Sequence, residues 1–283
     1  MPDATVPDQA VPDRADAPSA PPMTEARVVT ERRGHLLLIG LNRPEKRNAA
    51  DFAMLQQLAL AYWELERDPD LRVGVVHAVG DHFTAGLDLA DVGPRLGPNG
   101  LEIVPEGGIN PWQVDGTALS KPVVIAVQGT CLTLGIELML ASDIVVAAES
   151  TRFGQIEVSR GILPFGGATI RFPRAAGWGN AMRWLLTGDL FDAREAHRMG
   201  LVQEIVPDGR ELHRALELAD RIAAQAPLAV QATLASARTA LRDGAAAAET
   251  ELQPALARLA ASTDARIGME AYLSRQPAHF QGR

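Results

Sequence analysis

Apolar residues follow two rhythms along this chain. Up to Pro207 they come as short runs of Val, Ile, Leu and Ala broken by glycine and proline; beyond Glu211 they sit three and four apart in alanine-rich sequence. Short β-branched and aliphatic runs bounded by turn formers predict strands buried on both faces. Residues 27–32 and 35–41 therefore form a hairpin about Gly34, and residues 73–79, 122–127, 143–148 and 201–206 are further strands. Helical spacing governs 51–67, where Phe52, Leu55, Leu58, Ala59, Tyr62 and Leu65 share one face and Asp51 or Asn48 caps the start. After the turn at Gln128-Gly129 a helix is expected through Leu140, and others from Ala168, over 180–186, and from the Asp192 cap to Gly200. The glycine- and proline-rich stretch 93–116 reads as a long functional loop.

The change of rhythm divides the chain. Residues 24–208 form an α/β body of repeated strand–turn–helix units, and 209–283 an all-helical region with helices over 211–225, 228–242, 245–262 and 267–274. Residues 1–23 repeat Pro-Asp and carry too little apolar surface to offset the entropy of ordering, which predicts a disordered acidic tail.

Charge and cysteine content narrow the function classes. The formal charge of −8 on 283 residues, with no long basic run, argues against nucleic acid as a partner. Cys131, the single cysteine, excludes an internal disulfide and suits a reducing compartment as a small buried apolar residue. No apolar run is long enough to span a membrane and the N-terminus lacks a signal pattern, so a cytoplasmic protein is expected.

The chain has neither a phosphate-binding Gly-x-x-x-x-Gly-Lys-Ser/Thr nor a Gly-x-Gly-x-x-Gly, and its six histidines do not fall at metal-ligand spacings, so no metal site is expected. What remains is two glycine-containing turns and two carboxylates. Glu137 and Glu157 lie in apolar, turn-punctuated sequence, where a carboxylate destabilises unless it is paired or used. Glu137 alone could be an ordinary first-turn helix residue, and Glu157 an ion-pair partner of Arg160 or Arg171. The turns Ala85-Gly86-Leu87 and Thr133-Leu134-Gly135 each follow a strand and precede helical sequence. Such junctions leave backbone N–H groups free, and two that converge stabilise charge on a carbonyl oxygen.

In this order and spacing the motifs resemble those of the crotonase (enoyl-CoA hydratase/isomerase) superfamily. The resemblance covers residues 24–283 and rests on Leu41 to Ala49, Phe83 to Leu89, Lys121 to Leu138, Ser142-Asp143, Phe153 to Glu157, Leu186-Thr187-Gly188 and Gly200-Leu201-Val202. It implies a crotonase-like spiral of strand–turn–helix units, with the C-terminal helices packing a homotrimer or homohexamer. It implies an acyl-CoA thioester as substrate, coenzyme A entering only as part of it and no separate cofactor. By position the thioester oxygen would accept from the N–H groups of Leu87 and Leu134, with Glu137 and Glu157 as the acid and base that add water across a 2-enoyl group. Lys46 and Arg47 would lie by the adenine and phosphates. Ala85, Gly86, Asp88, Leu89, Trp112, Thr133, Gly135, Ile156 and Phe165 would complete the substrate site.

The chain departs from the hydratase pattern in carrying Thr133-Leu134 and Phe165 where glycines are usual, and Ile156 in place of proline. Added bulk could narrow the acyl pocket or displace the water between the acids. Two alternatives to a hydratase follow: a Δ3,Δ2-enoyl-CoA isomerase using Glu157 alone, or a CoA-thioester-binding protein with little turnover.

Overall fold

Strand β2 (Leu36–Leu41) carries the body's central logic, because its residues are all buried and successive side chains go to opposite faces of the sheet. Leu36 and Leu38 join one apolar cluster, while Leu37, Ile39 and Leu41 join another. β2 pairs antiparallel with β1 (Val28–Arg33) and parallel with β3 (Val73–Ala78). The parallel run continues through strands Val123–Val127 (β4), Ile144–Ala148 (β6) and Glu204–Val206 (β9). Exposed charges on β1, including Arg32 and Arg33, guard the outer edge against further pairing. These features come from a computed structural model describing residues 26–98 and 100–283; the tail expected over 1–23 lies outside the described residues.

Helix α1 (Phe52–Arg67) covers one face of the sheet with Met54, Leu55, Leu58, Tyr62 and Leu65. Of the two caps the sequence offers, Asp51 is the one used, accepting the Met54 N–H at 2.9 Å, while the Asn48 side chain donates to the carbonyls of Val79 and His82. The other face is covered by Ala215, Ala219 and Ala223 of the helix Glu211–Ala223 (α7). Small residues there let the helix lie close to Val75, Val124 and Val146. Although it belongs to the alanine-rich rhythm, α7 is thus a layer of the α/β body. The helices after it are different: α8 (Pro227–Asp243) buries no residue, and α9 (Ala245–Ala260) and α10 (Thr263–Ser274) bury Ala248 and Asp264. Arg238 ties α8 down, pairing with Asp143 at 2.9 Å and donating to the Leu119 carbonyl.

The helix expected after the Gln128-Gly129 turn starts at the Thr133-Leu134-Gly135 junction, and a strand the sequence reading did not mark off precedes it. Thr130–Leu132 is a strand (β5), and only then does α3 (Leu134–Ala141) start. With Arg152–Gly154 (β7) and Phe191–Asp192 (β8), β5 forms a second, three-stranded sheet that the apolar rhythm did not reveal. Phe153 and Phe191 stack across it at 5.6 Å, with Trp184 4.9 Å from Phe191. Leu89–Val92 (α2), Ala168–Ala176 (α4), Trp178–Thr187 (α5) and Ala193–Arg198 (α6) complete the helices. Among the described residues no helix is long and apolar enough to cross a membrane.

Candidate active site

The segment from Thr84 to Asp88 runs between two neighbours. On one side, Ala50 N–H donates to Gly86 O at 2.8 Å and Asp88 N–H to Ala50 O at 2.9 Å. In that parallel-bridge pattern the intervening residue, Leu87, turns its own N–H away from Ala50. No acceptor for it exists among the described residues. The free donor predicted at Leu87 is therefore present, but it arises from a β-bridge and not from a helix start. At Leu134 the helical reason holds: this is the first residue of α3, and its N–H likewise has no acceptor among the described residues.

Glu137 lies one turn into α3, buried, with its Oε1 accepting the Ala168 N–H at 3.1 Å. That donor is the first residue of α4, so the carboxylate faces the positive end of a second helix. Burial pushes Glu137 up, opposed by the N–H groups of Ala168, Gly166 and Gly167 and by the Arg171 guanidinium. The approach requires glycine at 166: a Cβ there would stand 2.7 Å from Glu137 Oε2 and 2.8 Å from Trp112 Cδ1. Arg171 is fixed beside it by donating to the carbonyls of Gly166 at 3.2 Å and Gln113 at 2.9 Å.

Glu157 opens the 3-10 turn Glu157–Arg160. Its Oε2 is buried with no hydrogen-bond partner. Burial, with a smaller contribution from the Glu137 charge, raises its pKa to about 7, against the pull of its own backbone N–H. The ion pair considered for it with Arg171 is not formed; Arg171 sits by Glu137 instead.

These groups surround a cavity with two lobes that share Leu87, Leu134, Glu137 and Phe165. The outer lobe, about 260 Å³, adds Ala85, Leu89, Thr133, Ile156, Glu157 and Arg160. The inner lobe, about 370 Å³, is of mixed lining, with Leu55, Leu101, Ile103, Trp112 and Val114 beside Glu102, Asn110 and Asp115. Leu134 and Phe165 thus line the space without filling it, and either lobe exceeds the roughly 30 Å³ share of one water many times over. Trp112 is buried, and its Nε1 donates to Leu134 O at 2.9 Å, steadying the first turn of α3.

Other predicted residues lie behind the wall. Gly135 packs so that a Cβ would come 2.5 Å from Thr84 and 2.9 Å from Cys131 Sγ. Gly86 abuts Thr133, and Asp88 pairs with Arg43 at 2.8 Å. Lys46 and Arg47 have exposed side chains off both lobes, while Arg47 O accepts the Ala85 N–H at 2.9 Å and braces the Leu87 loop. Sequence reasoning passed over Gly166, Ala168 and the inner-lobe residues Leu55, Leu101 and Ile103. The Gly166-Gly167 pair before helical sequence was the one available signal.

Comparison with known proteins agrees with this arrangement. Residues 31–283 match the enoyl-CoA hydratase/isomerase family model. The chain is 38% identical over 250 residues to the enoyl-CoA hydratase EchA19 of Mycobacterium tuberculosis, covering 87% of this chain and 88% of that protein. It is 35% identical to the 2,3-dehydroadipyl-CoA hydratase of Escherichia coli, covering 91% and 100%. A solved structure of a probable enoyl-CoA hydratase/isomerase from Mycobacterium abscessus superposes with a TM-score of 0.88 at 59% identity, covering 91% of this chain and 99% of that one. The chain belongs to the enoyl-CoA hydratase/isomerase family.

Proposed function

We propose that this member of the enoyl-CoA hydratase/isomerase family adds water to 2-enoyl-CoA thioesters, giving 3-hydroxyacyl-CoA. The observation that carries the reading is the outer lobe, where Glu137, Glu157, Leu87 and Leu134 line one space. The thioester oxygen accepts from the Leu87 and Leu134 N–H groups, an oxyanion hole, and the acyl chain extends into the inner lobe along Leu55, Leu101, Ile103 and Trp112. Glu137, held by N–H donors and Arg171, is the ionised partner. Glu157, without a donor at Oε2 and raised to about 7, carries the proton. Water held between them gives a proton to Glu137 as its oxygen bonds to C3. The C2–C3 π electrons move onto the thioester oxygen, and Glu157 then protonates C2 as the carbonyl re-forms. Exchange of protons with solvent returns the pair to its starting state. The steps use protein groups and water, with coenzyme A present only as the substrate's handle.

Lys46 and Arg47, exposed on the segment that braces the Leu87 loop, are assigned to the adenine and phosphate end of the thioester. The exposed Leu241, Leu252, Leu256, Tyr272 and Leu273 of α8 to α10 supply the apolar surface for a homotrimer or homohexamer. Incubation with crotonyl-CoA and longer 2-enoyl-CoAs tests the reading by loss of the conjugated thioester absorbance. Glu137→Gln should lower kcat by about 10²–10⁴-fold. A Glu137→Gln enzyme hydrating at the full rate would overturn it, and formation of the chromophore from 3-enoyl-CoAs without hydration would support the isomerase in its place.

A further inference from the structure

Thr133 adopts φ 51° and ψ −115°. A β-branched residue at positive φ is strained, because its branched Cβ crowds its own backbone. Such strain survives where the surroundings over-determine it, and it gathers at functional sites. The hydroxyl does not explain it: Thr133 Oγ1 is buried with no hydrogen-bond partner, and the side chain makes no capping bond to α3.

What the side chain does touch is Gly86. A Cβ on that glycine would lie 2.4 Å from Thr133 Oγ1 and 3.5 Å from Thr133 Cβ, so the threonine occupies the space a side chain at 86 would need. Gly86 precedes Leu87 and Thr133 precedes Leu134, so this contact joins the residues just before the two free N–H groups. Upstream, hydrogen bonds link the two loops: Thr84 N–H to Thr130 O and Leu132 N–H to Thr84 O, each 3.0 Å. That ladder stops there. Thr133 N–H turns to Gly154 O at 2.9 Å, and Gly86 N–H is held within its own loop by Thr84 Oγ1 at 3.1 Å. Past Thr84 and Leu132, the Thr133–Gly86 contact is what meets across the gap.

We infer that Thr133 is a positioning residue, a steric spacer that fixes the separation of the Leu87 and Leu134 N–H groups at the cost of local backbone strain. This rests on the assignment of those two groups as thioester-oxygen donors. The side chain acts by its bulk and not by a hydrogen bond, since Oγ1 has no partner to lose.

The test is a set of single substitutions read in three ways. Thr133→Gly restores the residue usual here in hydratases but leaves Leu134 and Phe165 in place, so it removes both the spacer and the strain from a loop otherwise particular to this chain. It should melt at or above the wild-type temperature, lower kcat for 2-enoyl-CoA hydration about 10–100-fold, and leave KM within about threefold. Thr133→Val and Thr133→Ser keep a γ atom against Gly86 and should recover most of that loss. The third reading uses bound 2,4-hexadienoyl-CoA, whose absorbance shifts to the red when two donors polarise the carbonyl; the shift should shrink in Thr133→Gly and persist in Thr133→Val. The spacer role is overturned if Thr133→Gly matches wild type in kcat and spectral shift, if it loses stability in step with activity, or if Thr133→Val is as impaired as Thr133→Gly. It is equally overturned if the wild type gives no red shift. Failure of the hydratase reading is separate, seen as a wild type that shifts the bound dienoyl spectrum yet hydrates no 2-enoyl-CoA.

Discussion

Glu137 is carried by the first turn of α3 and met by the N–H groups that open α4, with Arg171 behind. Glu157 is carried by the 3-10 turn Glu157–Arg160, and its Oε2 meets no donor. Both are buried and both are raised, yet Glu137 has three backbone N–H groups and Arg171 favouring its charge, where Glu157 has its own backbone N–H. The secondary structure around each thus treats two chemically identical side chains differently, and Glu157 has the fewer groups opposing its upward shift. One shared proton belongs on Glu157, and the charge left on Glu137 reinforces that choice.

The asymmetry can be broken most severely at Glu157. Glu157→Gln should lower kcat by about 10²–10⁴-fold, and the double Glu137→Gln, Glu157→Gln variant should be little worse than either single one, because the pair acts as a unit. In the wild type, Glu157 must be protonated to donate. Hydration should therefore fall about tenfold per pH unit above pH 7, following the value of about 7, and fall again at low pH as Glu137, itself raised, takes up a proton and can no longer accept one from water. A rate that rises through pH 7 would assign the roles the other way round.

A smaller effect is expected from Gly166→Ala. The added Cβ would press on Glu137 Oε2 and Trp112, displacing the carboxylate from the Ala168 N–H. A loss in kcat of about 10–100-fold is expected, with KM changing less. The smallest effect is on stability. Glu157 has a folded value above its ordinary 4.5, so its ionisation destabilises the fold progressively between pH 4.5 and about 7. Glu157→Gln removes that penalty. Its unfolding free energy should match wild type near pH 4 and exceed it at pH 8 by at most about 3 kcal/mol, at about 1.4 kcal/mol per pKa unit, seen as a higher melting temperature at pH 8.

Much of this was legible in the chain. The central strands of the large sheet announce themselves because they are buried on both faces and bounded by turn formers, and Asp51 marks the start of α1 by its capping chemistry. Glu137 and Glu157 stand out because acids are conspicuous in apolar sequence. The second sheet was hidden for a physical reason. β5 is three residues long and runs directly into α3, so an apolar stretch changes structure without a change in composition. α7 was misleading in the opposite way, since helical periodicity tells that a face is buried but not which layer it meets. The Leu87 donor was found for the wrong local reason, because a bridge between Ala50 and Leu87 depends on residues far apart in sequence. Gly166 and Arg171 acquire their roles only when α4 folds back onto α3.

Trp112 gives the molecule a built-in optical probe. It is one of four tryptophans, and it is buried against the inner lobe with Nε1 fixed on Leu134 O, whereas Trp178 is 73% exposed. An acyl chain entering that lobe replaces water beside the Trp112 indole without touching Trp178. The emission should move to shorter wavelength as the lobe fills, so chain-length preference can be followed by fluorescence in variants that no longer turn over.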